Sequence, residues 1–284
     1  MEEPKKINPD PAFNRMKACR HGTVIFNRND CYVGRSFELY GEFKELEVEL
    51  FRQIVKEGQV VLDVGANIGQ HTLFFSHAVG EQGRVYAFEP QRLFFQTLCG
   101  NMALNHIVNV FCVHAAVGAQ AGKLNVPAAN PRLAEFNFAA LALKDYSWGE
   151  MTEMTTVDSL QLDQCDFMKI EVVGMEEEVL AGARNTIERH RPVLYVENDE
   201  KGYEGELPQG VQSVDNEKAS SRLVRRIADL GYELYWHRPP YFNPNNYFKN
   251  QENIFGEACS QNMLCLPEGH GHDLVGFERI AVPH

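Results

Sequence analysis

The chain has 284 residues, a formal net charge of −12, and 44% apolar and 23% charged residues. This is the composition of a soluble globular protein, long enough for one large α/β domain or two small ones. The acidic surplus argues against a nucleic-acid backbone as partner, and no apolar run approaches the roughly 20 residues of a membrane span.

The first residues, Met1 to Lys6, lack the apolar core of a secretion signal, and residues 1–21 are expected to form a flexible tail. Residues 22–284 are expected to form a single domain, with an N-terminal extension over 22–57 and a core over 58–284. Gly22–Phe26 and Tyr32–Val33 flank the turn-rich Asn27–Asp30, a pattern that predicts a hairpin. Glu45–Lys56 carries an apolar stripe of Leu46, Val48, Leu50, Phe51, Ile54 and Val55, so it reads as a helix that Gly58 ends.

From there strands and helices alternate. Strands are expected at Val60–Val64, Arg84–Phe88, Val110–Val113, Phe167–Val172, Val193–Val196 and Tyr232–Trp236. Helices are expected near Gln70–Ala78, Arg92–Asn105, Glu176–His190 and Ser220–Leu230. Such alternation implies an α/β fold with a parallel sheet wound on both faces. Residues 118–165 interrupt it with a short strand pair and an extra strand near Met154–Val157, and 199–219 reads as a long exposed loop. Asn262–Leu266 follows the sixth strand without a helix and suits a final antiparallel strand. The seven cysteines are scattered with no Cys-x-x-Cys pair, which favours free thiols in a reducing cytoplasm over a zinc cluster.

The chemistry concentrates after the first core strand. Val60–Val64 runs into Gly65-Ala66-Asn67-Ile68-Gly69 and then a helix start at Gln70-His71-Thr72. Gly65 and Gly69 allow a sharp turn and a close backbone approach to a ligand. The helix terminus offers N–H groups and a positive dipole end, suited to a carboxylate. Asp63 is placed to hold an ammonium. Glu89, at the tip of the second strand and 20 residues after Gly69, is where a ribose diol is gripped. Ala115, at the tip of the third strand, is placed to flank an adenine. Asn67 stands where a dinucleotide fingerprint has its middle glycine, so a ligand without pyrophosphate fits better. S-adenosylmethionine is such a ligand, and a nicotinamide-dependent oxidoreductase is the rival.

Three segments together carry a family resemblance: Asp63–Thr72, Asp166–Gly174 running into Glu176 and Val179–Ala183, and Phe242–Phe248 followed by Glu252–Gly256. Gly34-Arg35-Ser36 and Leu39–Glu42 also fit. The chain resembles the FkbM family of S-adenosylmethionine-dependent methyltransferases. The resemblance implies a Rossmann-like, seven-stranded, doubly wound sheet. It also implies methyl transfer to a hydroxyl of a small-molecule acceptor, a sugar or natural product. The family usually reads Lys-Ile-Asp-Val-Glu-Gly where this chain has Lys169-Ile170-Glu171-Val172-Val173-Gly174. Val173 removes a carboxylate, which opens a second reading, a catalytically silent cofactor-binding paralogue.

Methyl transfer to a hydroxyl needs alignment and a proton acceptor. Lys169, Glu171, Glu197 and His71 compete for that proton, and Glu171, with Glu197 nearby, is the expected base. Lys169 and Glu171 share a strand face, so an ion pair between them is the competing reading. Asp158, Glu171 and Glu197 are hard oxygen ligands, but no spacing requires a metal. Tyr40, Glu42, Tyr247, Phe248 and Asn253 lie outside the alternation and are weaker candidates for an acceptor pocket.

Overall fold

The structure is a computed structural model that describes residues 12–128, 130–133, 137, 148–199, 216–270 and 276–283. The N-terminal extension holds β1 (Asn14–Cys19), β2 (Gly22–Asn27), α1 (Val33–Tyr40) and α2 (Glu45–Ile54). The core begins with β3 (Val60–Val64), α3 (Gln70–Ala78), β4 (Arg84–Phe88), α4 (Arg92–Leu104) and β5 (Val110–Val113). A small three-stranded sheet follows, of β6 (Ala116–Val117), β7 (Gly122–Val126) and β8 (Glu150–Thr155). Then come β9 (Phe167–Ile170), α5 (Glu176–Gly182), α6 (Arg184–His190), β10 (Val193–Glu197), α7 (Asn216–Asp229), β11 (Tyr232–His237), β12 (Asn262–Pro267) and β13 (Glu278–Arg279).

The main sheet has the order β5-β4-β3-β9-β10-β12-β11-β13. Strands β5, β4, β3, β9 and β10 are parallel, whereas β12 runs antiparallel to both β10 and β11. This is the doubly wound, Rossmann-like arrangement expected of the alternation, with the final strand inserted before β11. The seven expected strands are joined by an eighth, the two-residue β13 at the edge. Buried central strands of a parallel sheet must be apolar on both faces, and β3 is buried at every position.

Each face has its own core. On one, Leu62, Met168, Ile170, Leu194 and Val196 pack with Val179, Leu180 and Ile187 and with Leu223, Val224 and Ile227 of α7. On the other, Val61, Phe167, Tyr195 and Leu264 meet Phe74 and Phe75 of α3 and Val48 and Phe51 of α2. Phe51 is fully buried, with its ring edge-on to Tyr195 at 4.8 Å and to Phe167 at 5.4 Å. These rings seat the extension on the sheet. Asn101 of α4 ties down the hairpin, donating from Nδ2 to the carbonyls of Ile25 and Ile68 and accepting from the Ile25 N–H.

Several expectations change. The tail expected over 1–21 is corrected over 14–19, where β1 pairs with β2 in register from Asn14↔Asn27 to Cys19↔Gly22. The sequence conceals β1 because half of its side chains are polar and most are exposed, while β2 buries Val24 and Phe26. The hairpin therefore turns at Arg20-His21 and not at Asn27–Asp30. Asp30 instead starts α1, its Oδ1 accepting the N–H groups of Tyr32 and Gly34. The single helix expected over Glu176–His190 breaks at Ala183, with Asp158 capping the second piece through the N–H groups of Asn185 and Thr186. Most of the loop expected over 199–219 lies outside the described residues. Among the described residues no helix is long and apolar enough to cross a membrane.

Removing the Phe51 ring leaves a cavity that the rigid sheet cannot collapse into. Phe51→Ala is expected to lose about 3–5 kcal/mol of unfolding free energy, measured by urea denaturation.

Candidate active site

The parallel strands end on one edge of the sheet, where open α/β sheets bind ligands. At that edge Gly65 has φ 83° and Gly69 has φ 90°, backbone that glycine adopts without strain. A Cβ on Gly65 would run into the Glu171 carbonyl oxygen, so the loop after β3 and the end of β9 touch backbone to backbone. Asn67 also has positive φ, 52°. Its N–H donates to Glu89 Oε2 at 2.9 Å, and the Gln91 N–H donates to Oε1 at 2.8 Å. The glycine loop thus orients the carboxylate at the tip of β4. Burial pushes the Glu89 carboxyl up to about 7 despite these two donors. Ala115 is buried just beyond β5, and the neighbouring His114 stacks on Phe95 of α4 at 4.8 Å.

Beneath the loop lies a buried ion network. Lys169 Nζ sits 3.1 Å from Asp63 Oδ1 and 2.9 Å from Glu171 Oε2, and donates to the Gly65 carbonyl at 3.3 Å. Asp63 and Lys169 are register partners on adjacent strands, so one pleat brings them together. The second Asp63 oxygen accepts Thr72 Oγ1–H at 2.7 Å. Both oxygens of Asp63 therefore have internal partners, and the Thr72 side chain is turned inward to meet it. Burial alone would lower Lys169, but Asp63 and Glu171 outweigh it and hold the ammonium above its ordinary range.

Two residues of this network lie on the extension and were not expected. Lys44 stands at the start of α2 with φ 55°, and its Nζ is 2.7 Å from Glu171 Oε1. Glu47, fully buried, lies 3.5 Å from Lys44 and accepts from Asn262 Nδ2 at 2.9 Å and from the Ser260 hydroxyl. Sequence periodicity assigns charged residues of an amphipathic helix to solvent, which conceals an acid aimed at a buried lysine. His71 has its ring edge-on to Phe51 at 5.3 Å and 3.5 Å from Glu47. Its side chain belongs to the interface with α2, so only its backbone stays at the helix start beside the glycine loop. The cofactor contact expected at this helix start rests on backbone N–H groups and does not need the imidazole.

The outer candidates divide similarly. Glu42 accepts from Arg20 at 2.6 Å, Asn243 at 2.7 Å and the Tyr247 N–H at 2.8 Å. Tyr40 donates to the Glu252 carbonyl at 2.7 Å and accepts the Ile254 N–H. Asn253 closes a local turn by accepting the Phe255 N–H. These contacts tie 242–255 onto α1, while Tyr247 and Phe248 remain exposed. Asp158, spent on capping α6, does not join Glu171 and Glu197.

The sequence matches the methyltransferase FkbM domain over residues 63–234, more than half of its length. The chain belongs to the FkbM methyltransferase family. Among solved structures, methyltransferase FkbM from Methylobacillus flagellatus KT is 16% identical, covering 72% of this chain and 43% of its own, with a TM-score of 0.44. The chain thus spans less than half the length of that protein. A SAM-dependent methyltransferase from Aquifex aeolicus is 16% identical over 81% of this chain and 92% of its own, with a TM-score of 0.42. Aeropyrum pernix fibrillarin, solved with natively bound S-adenosyl-L-methionine, is 13% identical over 90% and 83%, with a TM-score of 0.43. No curated protein matches the sequence.

Within the FkbM segment the two carboxylates considered as bases have opposite surroundings. Burial would raise Glu171, but Lys169 and Lys44 overcome it and hold the carboxyl well below the usual range. Both its oxygens are ion-paired. Glu197, partly buried at the tip of β10, has no hydrogen bond or ion pair among the described residues. Burial and then the Glu171 charge push it up to about 8. Val173, where the resemblance places a family carboxylate, has φ 39°, a left-handed conformation that strains a β-branched residue.

Lys169→Met would leave Asp63 and Glu171 buried without their shared cation. We expect a loss of about 3–5 kcal/mol, read as an earlier urea midpoint, and larger than that of any surface Lys→Met control.

Proposed function

We propose that this chain transfers a methyl group from S-adenosylmethionine to a hydroxyl oxygen of a small molecule of the sugar or natural-product class. The observation that carries the reading is a shared edge. The glycine loop and the backbone-oriented Glu89, at the ends of adjacent β3 and β4, share the carboxyl edge of the parallel sheet with Glu197 at the end of β10. Glu89 keeps a free lone pair on each oxygen after accepting its two N–H groups, enough for the two hydroxyls of a ribose. Gly65, Asn67 and Gly69 supply a backbone surface without side-chain bulk, and the start of α3, with no side-chain cap, offers N–H groups to a carboxylate. Ala115 leaves room for a flat base beside β5. Asp63 and Thr72 support this surface from below.

When bound, S-adenosylmethionine supplies an electrophilic methyl on a sulfonium. The acceptor oxygen forms the new bond to that carbon as the carbon–sulfur bond breaks, its electron pair returning to sulfur. The chain's own task is to align the acceptor and take the hydroxyl proton. Glu197 suits the second role because its carboxylate is uncommitted among the described residues. Glu171, locked between Lys44 and Lys169, orients and does not titrate. This moves the proton acceptor from Glu171, the sequence expectation, to Glu197.

Residues of the extension and of the core share one apolar cluster, with Phe26 and Phe37 against Leu73 and Leu98. That cluster supports one domain over 22–284. The cysteines are free, which suits a reducing cytoplasm. The absent carboxylate at Val173 favours a second reading, a cofactor-binding chain without turnover. Tight S-adenosylhomocysteine binding with no product across a broad panel of hydroxylated acceptors would select it.

Two measurements test the assignment. Glu197→Gln is expected to keep cofactor affinity within a few-fold while lowering turnover on an identified acceptor by about a hundredfold or more. Normal turnover would place the base elsewhere. Calorimetric affinity for S-adenosylhomocysteine is expected to fall about tenfold between about pH 8 and about pH 6, as Glu89 gains a proton near 7 and its carboxylate is lost as acceptor. Glu89→Gln should bind weakly and show a flat pH profile.

A further inference from the structure

His71 is 1% exposed, and neither ring nitrogen has a hydrogen-bond partner among the described residues. Glu47, 0% exposed, has one oxygen in the same condition. Orphaned polar atoms at this depth are costly and call for an explanation. They face each other: His71 Nε2 and Glu47 Oε2 are 3.5 Å apart. That is too long for an N–H···O bond, which runs at about 2.7–3.2 Å. It matches the edge of a coordination tetrahedron, about 3.4 Å between two ligands each about 2.1 Å from one ion. A Glu171 oxygen completes a trio whose ligand atoms all lie within 4.8 Å of one another.

The surroundings prepare these atoms as ligands. Ser260 and Asn262 both hold Glu47 Oε1, which fixes the carboxylate with Oε2 directed at the imidazole. Lys44 and Lys169 hold Glu171 in the same way, one on each oxygen, and Asn262 Nδ2 is a second donor to Oε1 at 3.4 Å, which leaves a lone pair on Oε2. Outer contacts of this kind set ligand orientation in metal sites. Burial and the Lys169 charge keep His71 neutral, the form that binds a metal.

Charge points the same way. Asp63, Glu47, Glu171 and Glu197 are four acids that face only two ammonium groups, Lys44 and Lys169. With all four ionised the cluster carries an excess of two negative charges. One divalent ion would supply the missing charge and satisfy His71 Nε2 and Glu47 Oε2, two of the three orphaned atoms of the pair.

We propose that Glu47, His71 and Glu171 bind a divalent first-row transition ion, such as zinc(II) or cobalt(II), that ties α2 of the extension to α3 and the end of β9. The mixed imidazole and carboxylate donors suit these ions. Magnesium is disfavoured because it retains several waters for which this packed interface has no room. The site is independent of the methyl-transfer assignment, which requires no metal.

The test uses the full chain, tag-free, stripped with chelator and titrated with cobalt(II) in the presence of reductant. We expect one equivalent to bind with the visible absorption of a low-coordinate nitrogen and oxygen site and without a thiolate charge-transfer band. His71→Gln and Glu47→Gln are each expected to weaken binding by about tenfold or more. If Glu47→Gln does not fold, His71→Gln and the spectrum of the native protein decide. No uptake at millimolar cobalt(II) would overturn the proposal and leave a buried proton as the occupant of the Glu47–His71 gap. A thiolate band, or binding unaffected by both substitutions, would overturn it equally.

Discussion

Lys169 is the constraint on which the rest of the site depends. An ammonium that is fully buried in the middle of a parallel sheet survives only if its charge is matched at contact distance. Asp63 and Glu171 supply that match, one from each side, and the Gly65 carbonyl takes a further bond. Each of these partners belongs to a segment of the ligand-binding edge. The need to satisfy one lysine therefore fixes the spacing of β3, β9 and the glycine loop, and the loop has no freedom to drift from Glu89.

The same electrostatics sort the carboxylates by role. Glu171 has two cations in contact and remains an anion through the ordinary pH range, so it is a counter-ion and a spacer. Glu197, one strand away, is raised first by burial and then by the Glu171 charge, which Lys44 offsets only in part. Like charges at close range force one member of such a pair to hold its proton more tightly. A motif comparison alone points to Glu171, because that residue stands in the recognisable segment. In the proposed function the charge environment moves the proton-acceptor role to its neighbour.

The N-terminal extension is part of this arrangement and not an appendage to it. Phe51 packs edge-on against rings contributed by β9 and β10, and on the same helix Glu47 reaches the floor of the site. Lys44, held in a left-handed conformation at the start of α2, reaches Glu171 from outside the core sheet. Apolar stacking supplies the binding energy between extension and sheet, and the polar contacts select its register. Cation–π contacts of Lys44 with Phe43 and Tyr241 add a second anchor on the side of the 238–259 segment.

The sequence by itself determined the alternation of strands and helices, the final antiparallel strand, the glycine loop and Glu89. These features are local: a five-residue apolar run, a helical stripe or a glycine pair announces itself within a short window. It also carried the family resemblance, because motif residues cluster at strand ends. Strand β1 was invisible because its side chains are mostly exposed with no alternating apolar pattern, and it is held by backbone pairing with β2. The break at Ala183 was invisible because the capping acid, Asp158, lies more than twenty residues upstream. Only the tertiary structure decided that Asp63 and Thr72 face each other, that His71 turns toward α2, and that Lys44 and Glu47 enter the site. Asp63 and Thr72 are nine residues apart, but the other contacts join segments more distant in the chain, and burial there reverses what a charged residue on a helix ordinarily signals. Solvation sets the local expectation, whereas pairing in a low-dielectric interior sets the outcome.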